Sequence, residues 1–194
     1  MFVAEGEDLV AAAEADPVDL LVAGEDVTPE LLAEVSTLAH APRVIGVYRR
    51  GDLPHGTRPV TLALWRVADP GNVGALIRSA DAFGAGIALS PGCADPTGPK
   101  ALRASMGALF RVPIAEFDAA AGRRIALVPH GGTPLPELDL DGDIVFVLGA
   151  EREGLPAEVL ASCEVQASIP QQGDAESLNV AMAGTVALYE LARR

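Results

Sequence analysis

From residue 60 onward, short apolar runs alternate with stretches whose apolar positions recur every three to four residues. TLALW (61–65), GIALS (86–90), VPIAEF (112–117), RIALVPH (124–130), IVFVLG (144–149) and VQASIP (165–170) have the length and branched apolar content of strands. NVGALIRSADAF (72–83), KALRASMGALF (100–110) and SLNVAMAGTVALYELARR (177–194) carry helical spacing. Runs such as IVFVL lack polar alternation, so they predict strands covered on both faces, as in a parallel sheet between helices. Alternating strands and helices indicate an α/β fold.

The first 50 residues repeat the theme on a smaller scale. A helix is expected over 6–15, a strand at DLLVA (19–23), a second helix at PELLAEVSTLA (29–39) and a strand at RVIGVY (43–48). Thr28 is placed to cap the second helix, with Pro29 at its first position. RRGDLPHGTRP (49–59) is rich in Gly, Pro and charge and reads as a linker. The expected organisation is a small α/β unit over 1–50, a linker over 51–59 and a larger α/β domain over 60–194. The closing helix has almost no polar face between Leu178 and Tyr189, so it is expected to be buried nearly all round. Ala181, Ala183, Gly184 and Ala187 permit close approach of other backbones, and a second subunit is the expected cover.

Composition narrows the class. With 49% hydrophobic and only 4% aromatic residues, the core must be built from Val, Leu, Ile and Ala. Cys93 and Cys163 stand in no metal-like spacing, so neither a zinc site nor a disulfide framework is expected. The acidic start MFVAEGEDLV lacks the pattern of a signal peptide, and no apolar run approaches the roughly 18 residues of a membrane span. A cytoplasmic protein without membrane association or bound metal is expected. The net charge of −13 argues against indiscriminate nucleic-acid binding. Residues 1–57 hold 11 acids and 3 bases, whereas residues 58–194 hold 16 acids and 11 bases, which leaves room for a local arginine patch.

There is no Gly-x-Gly-x-x-Gly after a strand, no P-loop and no His-Glu-x-x-His. Three other segments stand out. In DPGNVGALIRSADAFGAG (69–86), Asn72 sits at a helix start and Arg78 one and a half turns on; capping by Asn72 and an Arg78–Asp81 pair are equally good local readings. In FVLGAEREGLP (146–156), a glycine and a glutamate follow a buried strand, where open α/β sheets bind ligands, although a charged turn would look the same. In IPQQGDAESLN (169–179), Ser177 suits a helix N-cap and Asn179 the first turn, which is ordinary capping chemistry taken alone.

In this order and spacing the three segments closely resemble the signature motifs of the SpoU (TrmH) family of SPOUT methyltransferases, and the resemblance covers residues 60–194. PTGPKALRASMGALFRVPI (96–114) is similar to the subgroup that methylates ribosomal RNA, and FVAEGEDLVAAA resembles the start of the small L30e-like substrate-binding domain of many members. The resemblance implies a parallel-sheet catalytic domain with a deep C-terminal trefoil knot, against the general rule that chains do not thread their own loops. It implies methyl transfer from S-adenosylmethionine to a ribose 2′-hydroxyl of RNA, without a metal, by a homodimer joined through the helix 177–194. Ribosomal RNA is the expected substrate and transfer RNA the alternative. Gly149, Ile169, Leu178 and Asn179 would line the cofactor cleft. Asn72, Arg78, Glu151, Ser177 and Asn179 would form the catalytic group. Arg78, Lys100, Arg103 and Arg111 would contact RNA. Family members often carry a basic helical stretch before the first domain, whereas this sequence starts at FVAEG. A catalytically silent cofactor- or RNA-binding homologue and a methyltransferase acting on protein or small molecules are the alternatives of other classes.

Overall fold

The computed structural model describes residues 1–172 and 177–194. The first sheet is antiparallel and three-stranded, in the order β1 (Phe2–Glu5), β3 (Val44–Tyr48), β2 (Asp19–Val22), with the short helices α1 (Glu7–Ala11) and α2 (Pro29–Val35). Thr28 caps α2 as expected, its side chain accepting from Leu31 N. The second sheet is parallel and built from β4 (Val60–Trp65), β5 (Gly86–Leu89), β6 (Ile114–Glu116), β7 (Arg123–Leu127), β8 (Thr133–Pro134), β9 (Ile144–Gly149) and β10 (Val165–Ser168). Their order is β6-β5-β4-β9-β7-β10-β8. The central pair is β4 and β9, in register from Val60↔Ile144 to Trp65↔Gly149. Ile144 to Leu148 are all buried, as their unbroken apolar run requires.

Helices α3 (Pro70–Ala82), α4 (Pro99–Ser105) and α6 (Val180–Ala192) cover one face of this sheet, and the short α5 (Ala157–Ala161) lies against the other. Gly74 brings α3 onto α4: a Cβ there would stand 2.3 Å from the carbonyl oxygen of Ala101. The helix expected over 100–110 is broken in two. Met106 and Gly107 both have positive φ, and α4 therefore ends at Ser105 before a single 3-10 turn at Ala108–Phe110. Gly107 is required there, because a Cβ would lie 2.4 Å from that of Ala12. The helices expected over 6–15 and 29–39 are also shorter than their apolar pattern suggests. The second stops when Ser36 and Thr37 turn to donate hydrogen bonds to the buried carboxylate of Glu5.

The closing helix is two-faced rather than buried all round. Val180, Ala181, Gly184, Ala187 and Leu188 are buried, whereas Met182 is 63% and Tyr189 58% exposed. Gly184 packs on Leu76 and Leu148, and Ser79 shares a 2.7 Å hydrogen bond with Thr185 between α3 and α6. Among the described residues, no helix is long and apolar enough to cross a membrane.

The stretch expected to be a linker is not a free tether. Ile114 N donates to Pro54 O, and Gly56 N donates to Ile114 O, so residues 54–56 run along the edge strand β6. Phe2, Tyr48 and Phe110 form an aromatic cluster with ring centres 5.1–5.9 Å apart, joining the small sheet to the core of the large one. Arg50 grips Asp95 with two hydrogen bonds of 2.8 and 2.5 Å, and the Thr97 backbone and hydroxyl also donate to Asp95. These donors hold the Asp95 carboxyl well below the usual carboxylate range. A lowered native pKa stabilises the fold above the ordinary value and is lost as pH falls through the native one. Asp95→Asn is accordingly expected to cost about 1 kcal/mol near neutrality, after allowance for solvent screening. The gap to the wild type should begin to narrow below about pH 4 and close only as the native carboxyl itself protonates, as read from thermal unfolding across pH.

Candidate active site

Asn72, Glu151 and Asn179 are brought together beyond the carboxyl ends of the central strands. Asp69 caps α3, its side chain accepting from Asn72 N at 3.0 Å, with Pro70 at the first helical position. Asn72 is therefore not the cap, and its amide is left free for longer-range bonds. Its Nδ2 donates to Glu151 Oε1 at 2.7 Å, and its Oδ1 accepts from Asn179 Nδ2 at 3.1 Å. Asn179, not Ser177, caps α6: Oδ1 accepts from Ala181 N and Met182 N at 2.9 and 3.3 Å. One chain of hydrogen bonds thus joins the loop after β9, the start of α3 and the start of α6. Each amide is oriented by the next, so the loop after β9 is tied to the start of α6 through Asn72.

Glu151 and Asn179 also line a cavity of about 650 Å³ formed by the ends of β7 and β9, the loop after β9, residues Ile169 and Gln171, and the start of α6. Gly149, Ile169, Leu178 and Asn179 all line it, as do Glu151 and Ser177. Gly149 also lets the loop close on itself, since a Cβ there would stand 2.4 Å from the carbonyl carbon of Gly154. Residues 173–176 of the third motif segment lie outside the described residues.

Arg78 is exposed and forms no ion pair among the described residues. The Arg78–Asp81 pair considered from the sequence does not form, because Arg111 occupies Asp81 with hydrogen bonds of 2.7 to 3.4 Å. That carboxylate raises the already high pKa of Arg111. Lys100 reaches Asp69 at 3.0 Å, and the ammonium with the Asn72 amide lowers the pKa of that carboxyl. Arg103 donates to Thr37 Oγ1 at 3.1 Å. The three cations of the 100–111 segment are thus each engaged within the molecule. Among the described residues no group of acids, histidines or cysteines is arranged to hold a metal ion.

Gln171 was not anticipated. Its side-chain oxygen is buried in the cavity wall without a hydrogen-bond partner among the described residues. Nothing in local periodicity marks it, since its burial depends on how the segment after β10 meets the loop after β9. The capping role of Asp69 was legible in principle, because an aspartate before proline at a helix start is a strong local signal.

The sequence profile of the SpoU rRNA Methylase family matches residues 59–189. The chain belongs to the SpoU family. Among relatives, an uncharacterized tRNA/rRNA methyltransferase of Synechocystis sp. is 35% identical over 184 residues, covering 87% of this chain and 66% of the relative. The 23S rRNA (uridine(2479)-2'-O)-methyltransferase of Streptomyces viridochromogenes is 37% identical over 145 residues, 66% of this chain and 50% of that protein. This SpoU chain therefore spans about half to two thirds of the length of these curated relatives. Among solved structures, the SpoU methyltransferase AviRb from Streptomyces viridochromogenes in complex with AdoMet aligns with TM-score 0.83 at 26% identity, over 99% of this chain and 89% of that one. The AdoMet-bound rRNA methyltransferase from Sinorhizobium meliloti aligns with TM-score 0.83 at 30% identity, over 99% and 87%. The parallel seven-stranded α/β sheet is thus the architecture of known SpoU methyltransferases.

Proposed function

We propose that this protein transfers a methyl group from S-adenosylmethionine to a ribose 2′-hydroxyl of RNA, with ribosomal RNA as substrate and the cytoplasm as its compartment. The observation that carries this reading is the hydrogen-bonded chain Glu151–Asn72–Asn179, two of whose members line the cavity. The cavity fits the methyl donor. Leu148, Leu155, Ile169 and Leu178 offer apolar walls to a nucleoside, Gln171 offers an unused acceptor to an amino group, and Glu151 and Glu153 offer negative charge to a sulfonium. Bound there, S-adenosylmethionine supplies the transferable methyl group.

The protein's own residues then orient the acceptor. A ribose hydroxyl reacts only when it is held in line and its proton is shared or removed. Asn72 and Asn179 set the position of Glu151, with Ser177 beside them, and Arg78 fixes the RNA phosphate or the developing alkoxide. A guanidinium with a pKa above about 12 is suited to that and unsuited to accept a proton. Residues 1–50 serve as the substrate-binding unit, with the catalytic unit over 60–194, and Lys100, Arg103 and Arg111 reach RNA only by giving up their internal bonds. In this reading the C-terminal part of the domain carries a trefoil knot, with β10 passing between β7 and β8. The position of β10 between those two consecutive strands supports it.

The enzyme acts as a homodimer through α6. Met182, Val186 and Tyr189 leave an apolar stripe exposed on that helix, continued by Leu178 just before it, which supports this. Met182→Lys is expected to shift the protein to monomer, measured by sedimentation velocity; an unchanged mass would remove α6 as the interface. The function itself is tested by transfer of labelled methyl to unmethylated ribosomal and transfer RNA. Label recovered as a 2′-O-methyl nucleotide in ribosomal RNA is the expected result. Cofactor binding without label in either RNA would favour a catalytically silent homologue.

A further inference from the structure

Four exposed arginines, Arg49, Arg66, Arg78 and Arg152, have neither an ion pair nor a side-chain hydrogen bond among the described residues. In a chain of net charge −13, a cation that forms no ion pair is conspicuous. Arg78 belongs to the site already described. Arg66 and Arg152 lie at the same edge: Trp65 pairs with Gly149 at the ends of β4 and β9, so the two chains leave the sheet side by side just before Arg66 and Ala150.

Arg66 is also held in place. Its φ of 53° lies in the left-handed region, which strains any residue with a Cβ. Met106, the other such residue among those described, closes a helix, where that conformation is common. Arg66 has no such excuse. Its turn is pinned by the buried Ser90, whose hydroxyl accepts from Arg66 N at 2.9 Å, and by Ala94 N donating to Val67 O. The side chain passes over Gly92, where even a Cβ would approach Arg66 Cγ and Nε to 3.4 Å. A glycine at 66 would form this turn without strain, yet an arginine occupies it and its side chain is directed across a bare glycine into solvent. Strain of this kind persists where the surroundings impose it and collects at functional sites.

We propose that Arg66 binds an RNA phosphate beside the site. The proposal rests on the RNA reading given above. Arg66 does not line the cavity, so its contribution is to RNA and not to the methyl donor. A guanidinium offers a forked pair of donors to phosphate, and releasing one counterion per contact makes affinity depend on salt.

The test is binding of an unmodified ribosomal RNA transcript to the full chain at several salt concentrations, for wild type, Arg66→Gly and Arg66→Lys. Arg66→Gly is expected to lose about tenfold in affinity and to flatten the plot of log affinity against log salt by about 0.7 to 0.9. S-adenosylmethionine affinity should be unchanged, and the thermal midpoint should not fall, because glycine adopts this φ freely. Arg66→Lys should keep the wild-type slope with weaker binding. A wild-type slope and affinity in Arg66→Gly would overturn the proposal while leaving the RNA reading intact. A wild type that binds no RNA would overturn both.

Discussion

Replacing Arg78 with alanine is expected to lower turnover by about 10²–10³, the loss typical of removing one donor aimed at developing charge, while leaving S-adenosylmethionine affinity unchanged. The separation follows from placement. Arg78 stands on α3 a turn and a half beyond Asn72, exposed and without an ion pair among the described residues, and it does not line the cavity. It is therefore available to the acceptor and remote from the donor. Arg78→Lys divides its two possible roles. Loss of activity comparable to the alanine variant would fit forked positioning by a guanidinium, which an ammonium cannot reproduce. Retained activity with a shifted pH profile would make it the proton acceptor and overturn the role assigned here. Single-turnover methyl transfer and calorimetric cofactor binding supply the two readouts.

Asn179 should show an equally large effect by a different route. Its Oδ1 caps α6 while its Nδ2 holds Asn72, so one side chain serves stability and the site together. Asn179→Ala removes both and is expected to cost about 1 kcal/mol of stability and about a hundredfold or more in turnover. Asn179→Asp distinguishes the two losses. A carboxylate caps a helix as well as an amide does, so unfolding should stay near wild type. It cannot donate to Asn72 Oδ1, and it brings a second negative charge toward Glu151. Turnover in that variant should fall as far as in the alanine variant. An active Asn179→Asp enzyme would show that the amide link is dispensable and that the cap alone matters.

How much of this site was legible in the sequence depends on the range of the interaction. The strands at 61–65 and 144–149, and the helix after Pro70, follow from neighbours a few residues apart, and they formed within one or two residues of expectation. The break at Met106 and Gly107 did not follow, because an apolar helical pattern runs through it and the close approach to Ala12 exists only in the folded chain. Composition marked 51–59 as a linker, and it could not show that residues 54–56 find hydrogen-bonding partners on β6. The closing helix looked uniformly buried because apolar composition does not say which face meets α3 and which meets solvent.

The site divides in the same way. The residue types that could do the chemistry, their order and their place after strand ends were present in the three motif segments, and a family resemblance joined them. Which residue caps which helix was decided only on folding. Asp69 freed Asn72 from capping, Asn179 took that task at α6, and the bonds that unite them span 79 and 107 residues. The cations were likewise countable in the sequence but not assignable, since Arg111 was drawn to Asp81 and Lys100 to Asp69 across 30 and 31 residues. Periodicity is set by steric and hydrophobic preferences between near neighbours and is therefore written along the chain. Partnership among polar side chains depends on strand order, register and helix packing, and it exists only once the tertiary structure has brought those atoms together.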